Sequence, residues 1–246
     1  MTYLLDLCKT MKQLTFLTLL LVVAGGRAPA GVYSYTYDSG FANGGTMLDG
    51  NASPWSDSHT LGELAGLTIS GVSVRLKVSG GYNGDLYGYL SHNGVLVPLL
   101  NRVGVGSADA FGYADAGLNV TFSAAAANNV HFYQAVSGYS LADAALWQAD
   151  GRAINPVTSV AGAFDAAGTI ALSAFNGPDA GGDWTLVLAD VSAGGGNSQV
   201  VSWGLDLETV EAVPEPVNVA LGLLGVGALL RQTRRAWRRR ENPPVK

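Results

Sequence analysis

Strict alternation of apolar and polar residues in VSVRLKVSG, residues 72–80, is the feature that most limits how this chain can fold. Every second residue from Val72 to Val78 is apolar, which is the period of a β-strand with one buried face. The pattern returns in WTLVLAD, residues 184–190, and in VVSWGLDL, residues 200–207. Turns rich in Gly, Asn and Asp separate these runs, so the sequence predicts an all-β sandwich of many short strands.

Local signals refine this prediction. The runs that contain Trp184 and Trp203 are separated by a glycine-rich loop, which predicts a hairpin of two neighbouring strands. Val201 is expected on the buried face together with Trp203. The turn HNG, residues 92–94, predicts a second hairpin, and Pro98 predicts that the following strand lies at a sheet edge or ends there.

The middle of the chain, residues 119–149, has no regular period. Residues 124–127 are rich in alanine and predict at most one helical turn. Ser140 and Asp143 have the spacing of a capping box at the start of another. We expect loops and short helical turns here rather than a helical layer.

Charged residues are scarce and unevenly placed. They make up 13% of the chain, against about 25% in ordinary soluble domains. Residues 31–216 contain seventeen acids and only four bases, which are Arg75, Lys77, Arg102 and Arg152. Such an acidic body excludes nucleic acid as a partner, because binding to phosphates needs clustered bases.

The start of the chain has the pattern of a secretory signal peptide. Met11-Lys12 precedes the apolar run QLTFLTLLLVVAGG, and an A-x-A-like site follows at Ala28 and Ala30. We predict a signal peptide over residues 1–30, with translation starting at Met11 and cleavage after Ala30; the alternative is a retained anchor. The single cysteine, Cys8, lies in this segment, so the exported chain has no thiol for a disulfide, a zinc site or a nucleophile.

The C-terminal segment has three parts in a fixed order. It begins with a Pro-Glu-Pro motif, made of Pro214, Glu215 and Pro216. The apolar run Val217–Leu230 follows, about 21 Å long as a helix, whereas a bilayer core is about 30 Å thick. An arginine cluster comes next, made of Arg231, Arg234, Arg235, Arg238, Arg239 and Arg240. Arginine stems that reach the interface lengthen the span, so we predict a transmembrane helix over 217–237 and a basic cytoplasmic tail over 238–246. The alternative is a buried terminal helix.

This order of parts resembles the PEP-CTERM sorting signal of Gram-negative bacteria that make extracellular polysaccharide, over about residues 213–240. The resemblance implies that a membrane-embedded exosortase recognises Pro214, Glu215 and Pro216 and cuts off the tail. It also implies that the chain is exported, is anchored in the inner membrane before sorting, and then reaches the cell surface or the extracellular matrix.

Two stretches of the body resemble the P domain (P/Homo B domain) of proprotein convertases. The first is VSGGYNGDLYGYLSHNGVLVPLLNRVG, and the second is SAFNGPDAGGDWTLVLAD with VVSWGLDL after it. The resemblance covers about residues 66–208 and implies a galactose-binding-like jelly-roll β-sandwich. Residues 31–65 are expected to add a strand and a loop to the sandwich, and residues 209–216 to form a linker.

Catalytic activity is not predicted. His59, His92 and His131 lie outside any His-Gly-Thr motif, and the chain contains no Gly-x-Ser-x-Gly elbow. Too few residues lie between the signal peptide and the P-domain-like region for a protease domain. We interpret each histidine as a loop or turn residue.

Aspartates at turns leave one cofactor question open. Asp85, Asp183 and Asp190 lie at predicted turns or strand ends, and DGNASPWSD, residues 49–57, is rich in oxygen ligands. Calcium takes about six to eight such oxygens, but aspartate also favours turns because its side chain bonds nearby backbone amides. We predict no required cofactor, with calcium as the alternative.

Together these features predict a non-catalytic exported β-sandwich with a binding or structural role, in contact with an exosortase, the inner membrane and extracellular polysaccharide. Tyr82, Tyr87 and Tyr89 are candidates for stacking on sugars, although tyrosines on strands also pack across strands. The alternative is an accessory P-domain module that assists a separate subtilisin-like serine endopeptidase.

Overall fold

A computed structural model describes residues 30–211 of the chain. In this part ten strands form two sheets around a common core, which confirms the predicted all-β sandwich. The strands are β1 (Gly31–Tyr37), β2 (Thr46–Met47), β3 (Asn51–Thr60), β4 (Leu67–Gly80), β5 (Leu86–His92), β6 (Val95–Asn101), β7 (Leu118–Ser123), β8 (Ala145–Trp147), β9 (Asp183–Asp190) and β10 (Ser198–Glu211). Short 3-10 helices cover Ala42–Gly45, Gly62–Leu64, Asn83–Asp85, Val130–Ala135, Ala161–Asp165 and Leu172–Phe175.

The two sheets differ in size and share no strand. The first has the order β1-β10-β4-β7-β8, with β2 also paired to β10, and the second has the order β3-β9-β5-β6. The strand pairs are antiparallel except for β7 and β8, which are parallel. Residues 31–65 supply β1 and β3, which are edge strands of the two sheets.

The alternating runs bury the faces that the sequence predicts. On β4 the side chains of Val72, Val74, Leu76 and Val78 are buried, and on β9 those of Trp184, Leu186 and Leu188. Both sets belong to one core that also contains Trp203 of β10. Burial of these apolar side chains is the main force that holds the two sheets together.

The predicted hairpin of β9 and β10 is wrong. β9 pairs with β3 and β5, whereas β10 pairs with β1, β2 and β4, so the loop between them carries the chain from one sheet to the other. The prediction for Val201 is also wrong. A register shift between Val200 and Ser202, opposite β4, puts Val200 in the core and leaves Val201 half-buried. Such a bulge adds one residue to a strand and so changes which residues face inward.

Two turn predictions are confirmed. β5 and β6 form a hairpin, and its turn residues Asn93 and Gly94 have φ angles of 47° and 79°. Two-residue hairpin turns need such left-handed conformations, which asparagine and glycine adopt most easily. Pro98 lies on β6, which is the edge strand of the second sheet, where a residue without an N–H group costs little.

The capping box predicted at Ser140 does not form. The Ser140 hydroxyl accepts a hydrogen bond from the backbone N–H of Ala142 at 3.1 Å, and Asp143 has a left-handed φ of 56°. A serine can close such a local turn without starting a helix. Residues 124 and 125 form a turn, so this region contains loops and short helical turns as expected.

Several predicted segments lie outside the described residues. These are residues 1–29 of the signal peptide, the Pro-Glu-Pro motif, the spanning segment 217–237, the arginine cluster and the tail 238–246. Within residues 30–211, no helix is both long and apolar enough to cross a membrane.

Candidate functional site

The three tyrosines predicted to contact sugars lie in two different places. Tyr87 and Tyr89 point outward from β5 with ring centres 5.8 Å apart, and in the strand pairing they lie opposite Ala189 and Val187 of β9. Tyr82 lies against Gly195 in the loop before β10, where any Cβ atom would come within 2.6 Å of the ring. The tyrosines therefore form no single platform.

Two of the three predicted turn aspartates come together. Asp190 ends β9 opposite Leu86, and the next N–H, that of Val191, donates to the backbone oxygen of Asp85 at 2.8 Å. Both aspartates are buried. Asp183 lies at the other end of β9, where its carboxylate accepts a hydrogen bond from Thr60.

Protein groups donate hydrogen bonds to the carboxylates of Asp190 and Asp57. Asp190 accepts hydrogen bonds from the Gly50 N–H at 3.4 Å and the Ser198 hydroxyl at 3.2 Å. Asp57 belongs to the oxygen-rich stretch 49–57 but lies apart from Asp85 and Asp190. Its carboxylate accepts a hydrogen bond from the indole N–H of Trp203 at 2.8 Å. Within residues 30–211, no three His, Cys, Asp or Glu side chains form a group that could hold a metal ion.

Burial and the nearby Asp190 change how Asp85 titrates. Burial raises the pKa of the Asp85 carboxyl to about 6, and repulsion by Asp190 acts in the same direction. A hydrogen bond with Ser192 and the charge of Arg102 act in the opposite direction. Burial also raises the pKa of Asp190.

We therefore expect Asp85 to make stability depend on pH between about 4 and 6. Its pKa is higher in the folded chain than the value of about 3.9 in an unfolded one, so folding takes up a proton in this range. The free energy of unfolding then rises as the pH falls from 7 towards 4. In Asp85→Asn, which cannot titrate, this rise is smaller by on the order of 1 kcal/mol.

Urea unfolding at pH 5 and pH 7.5 measures the effect of Asp85. Asp143→Asn is a matched control, because Asp143 is exposed and its left-handed backbone suits asparagine. If both variants have the same pH slope as the unchanged chain, Asp85 does not titrate in this range.

The best candidate for a binding site is a cavity of about 420 Å³ beside the Val130–Ala135 helix. Its volume is within the range of about 300–1,000 Å³ that is usual for small-molecule sites. Its lining combines an exposed aromatic ring with polar groups, contributed by Asn128, Asn129, Phe132, Gln148, Arg152 and Asp165. A smaller cavity of about 140 Å³ shares Asn129, Gln148 and Gly168 with it, so the two adjoin.

Hydrogen bonds to backbone groups fix the two walls of this cavity. Asn129 caps the helix by accepting from the N–H of His131 at 2.9 Å, and its amide group donates to the Ala149 oxygen at 2.6 Å. The Asp150 N–H donates to the Leu99 oxygen at 3.0 Å, which attaches the segment after β8 to β6. Hydrogen bonds thus join the Val130–Ala135 helix to the segment after β8, and join this segment to the second sheet.

A buried ion network lies beside the cavity. His131 Nδ1 is 2.6 Å from Asp150 Oδ2, and Arg152 Nη1 is 3.2 Å from Asp150 Oδ1. His131 Nε2 is 2.9 Å from the backbone oxygen of Val105, which can only accept. Nε2 therefore donates to this oxygen.

Asp165 supplies a negative charge at the exposed side of the cavity. The backbone N–H of Ser107 donates to Asp165 Oδ1 at 2.9 Å and lowers the pKa of this carboxyl, and the charges of His131 and Arg152 lower it further. In the described part of the chain, no ion pair within 4.0 Å joins Arg152 to Asp165. Both residues line the cavity.

The prediction that all three histidines are loop or turn residues is wrong. His59 lies on β3, stacked on Tyr37 with ring centres 3.5 Å apart. His92 ends β5 and is buried on Trp184 at 3.9 Å. His131 lies in a 3-10 helix. Stacking and buried hydrogen bonds place these side chains, and a search for catalytic motifs does not detect such contacts.

No protein-family model matches the chain, and no curated protein matches it. Among solved structures, the complex of the Aeromonas sobria serine protease with the chaperone ORF2 is similar at 16% identity and a TM-score of 0.41, over 78% of this chain and 29% of that one. The Aeromonas sobria serine protease itself is similar at 15% identity and a TM-score of 0.39, over 76% and 29%. This chain thus spans less than a third of the length of either. Likeness at this level establishes neither family nor activity.

Proposed function

We propose that this protein is a non-catalytic β-sandwich that is exported, anchored in the inner membrane through its C-terminal segment, and sorted to the cell surface or the extracellular polysaccharide, where it binds a partner. The observation that carries this proposal is where the sandwich begins. β1 begins at Gly31, directly after the predicted cleavage site, so cleavage there would leave every described strand whole.

Sorting depends on the Pro-Glu-Pro motif in this proposal. An exosortase recognises Pro214, Glu215 and Pro216 beyond the end of β10, while the apolar run and the arginine cluster hold the tail in the membrane. The two prolines disfavour a helix that continues into the sandwich.

The contacts of the two buried histidines support a non-catalytic role. Both ring nitrogens of His92 and of His131 are within hydrogen-bond distance of backbone or carboxylate oxygens. A serine nucleophile needs a histidine nitrogen that accepts its proton, and these two buried rings are already engaged.

A second candidate function is that of an accessory module for a separate subtilisin-like serine endopeptidase. The resemblance of residues 66–208 to P domains favours it. Stable co-purification of the exported chain with such a protease would support this function over the binding of polysaccharide.

Replacement of Pro214, Glu215 and Pro216 by alanine in the native host tests the proposal. We expect the unchanged chain at the cell surface or in the medium, and the alanine variant in the membrane fraction with its tail attached. Glu208→Ala with Glu211→Ala, which changes two exposed acids of β10, should leave sorting unaffected. Release of the alanine variant at the normal level would show that the motif is not the recognition element.

A further inference from the structure

We propose that the cavity beside Phe132 and Arg152 binds a neutral saccharide unit of an extracellular polysaccharide. This inference deepens the binding role proposed above and rests on it. It names both the site and the class of ligand.

Phe132 gives the cavity an apolar surface. Its side chain is 38% exposed, although its neighbours His131 and Tyr133 are buried. Non-helical backbone angles at Phe132, φ −112° and ψ 44°, interrupt the 3-10 helix at this residue. The guanidinium carbon of Arg152 lies 5.4 Å from the ring centre and the His131 ring packs against it edge-on. The ring is thus fixed in place, and aromatic faces of this kind pack well against the C–H groups of a sugar ring.

Arg152 offers hydrogen-bond donors towards the same space. Its Nε donates to the Phe164 oxygen at 2.9 Å and its Nη1 to Asp150 Oδ1 at 3.2 Å. Within residues 30–211, its Nη2 has no hydrogen-bond partner. Because the guanidinium is planar and held at two points, the direction of the remaining donors is set before any ligand arrives.

Asp165 offers an acceptor on the exposed side. A sugar hydroxyl can donate one hydrogen bond and accept others, so neighbouring hydroxyls can donate to Asp165 and accept from Arg152. The side-chain amides of Asn128 and Gln148 also line the cavity and add donors and acceptors for a bound sugar. Because Asp165 and Arg152 form no ion pair with each other, a ligand need not break one to bind.

The charges of the cavity favour a neutral ligand. The cavity is lined by one cationic and one anionic side chain, those of Arg152 and Asp165. An anionic sugar would be repelled by the carboxylate of Asp165, and a cationic one by the guanidinium of Arg152. The acidic excess of residues 31–216 also disfavours a polyanionic chain. The adjoining cavity of about 140 Å³ leaves room for part of a second unit.

Titration of the full chain with saccharides tests this inference. The chain is purified in a detergent without sugar headgroups and exposed to neutral oligosaccharides of glucose, galactose and mannose, beside oligosaccharides that carry uronic acids. We expect saturable binding of at least one neutral oligosaccharide. Binding of only the uronate-bearing compounds, or of none, would overturn the inference.

Three variants show whether binding occurs at this cavity. Phe132→Ala removes the ring surface, and Asp165→Asn removes the charged acceptor while keeping its shape; each should weaken binding about tenfold. Phe111→Ala removes an aromatic side chain that is 80% exposed and does not line the cavity, so its affinity should be unchanged. Equal affinity in all three variants would place the site elsewhere. Export and sorting are measured separately, so the cavity can fail this test while the proposed function stands.

Discussion

Asp150→Asn is expected to lower the free energy of unfolding by about 3–5 kcal/mol, because it leaves the buried guanidinium of Arg152 without its anion and removes the carboxylate that contacts His131. Asp150 and His131 are 0% exposed, and Arg152 is 5% exposed. A domain of this kind is stable by only about 5–15 kcal/mol, so the variant would lose a large share of its stability.

The matched control for this change is Asp206→Asn. Asp206 pairs with Arg75 at 2.6 Å on the outer face of the first sheet, where both side chains are partly exposed. Such pairs contribute about 0–1 kcal/mol, because water screens them. Urea unfolding followed by circular dichroism measures both variants. Equal losses would mean that the buried network contributes no more than a surface pair.

The second large effect is expected for Trp184→Ala. It should lower the free energy of unfolding by about 3–5 kcal/mol, because it opens a cavity at the centre of the core. Trp184 is fully buried between His92 at 3.9 Å and Phe175 at 5.3 Å. Its indole N–H donates to the Ala180 oxygen at 3.1 Å, which ties β9 to the segment before it. Truncation removes the packing and the hydrogen bond together.

Trp184→Phe separates volume from hydrogen bonding. It keeps a ring in the core but loses the donor, so we expect a smaller loss of about 1–2 kcal/mol. Phe111→Ala serves again as an exposed control, with a change within about 0.5 kcal/mol. If the alanine variant at position 184 is as stable as this control, the core does not depend on Trp184.

Features set by local chemistry were predictable from the sequence. The buried face of β4 follows from period-two alternation, and the turn at Asn93 and Gly94 follows from the backbone freedom of those two residues. Pro98 marks an edge strand because it lacks an N–H group. In each case neighbouring residues determine the outcome, so a short stretch of sequence contains the information needed.

Features set by the neighbours of a strand were not predictable. Alternation shows which face of a strand is buried but not which strand lies beside it. The sequence therefore predicted that β9 pairs with β10, although the two strands belong to different sheets. The bulge at Val200 and Ser202 depends on the pairing with β4. For the same reason the inward face of β10 was misjudged at Val201.

The cavity was missed because residues far apart in the sequence form it, within a stretch without a regular period. One signal could have pointed to its network. Bases are rare in the body, and each of its three arginines lies beside an aspartate: Arg75 by Asp206, Arg102 by Asp85 and Arg152 by Asp150. In a chain with so few bases, a buried arginine indicates a specific partner.

The mass of the mature protein, recovered from the cell surface or the medium of the native host, tests the central claim most directly. Export and sorting predict a chain that begins at Gly31 and ends near Pro216, without the arginine cluster. Recovery from the cytosol of a chain that keeps both its first thirty residues and its arginine-rich end would contradict it.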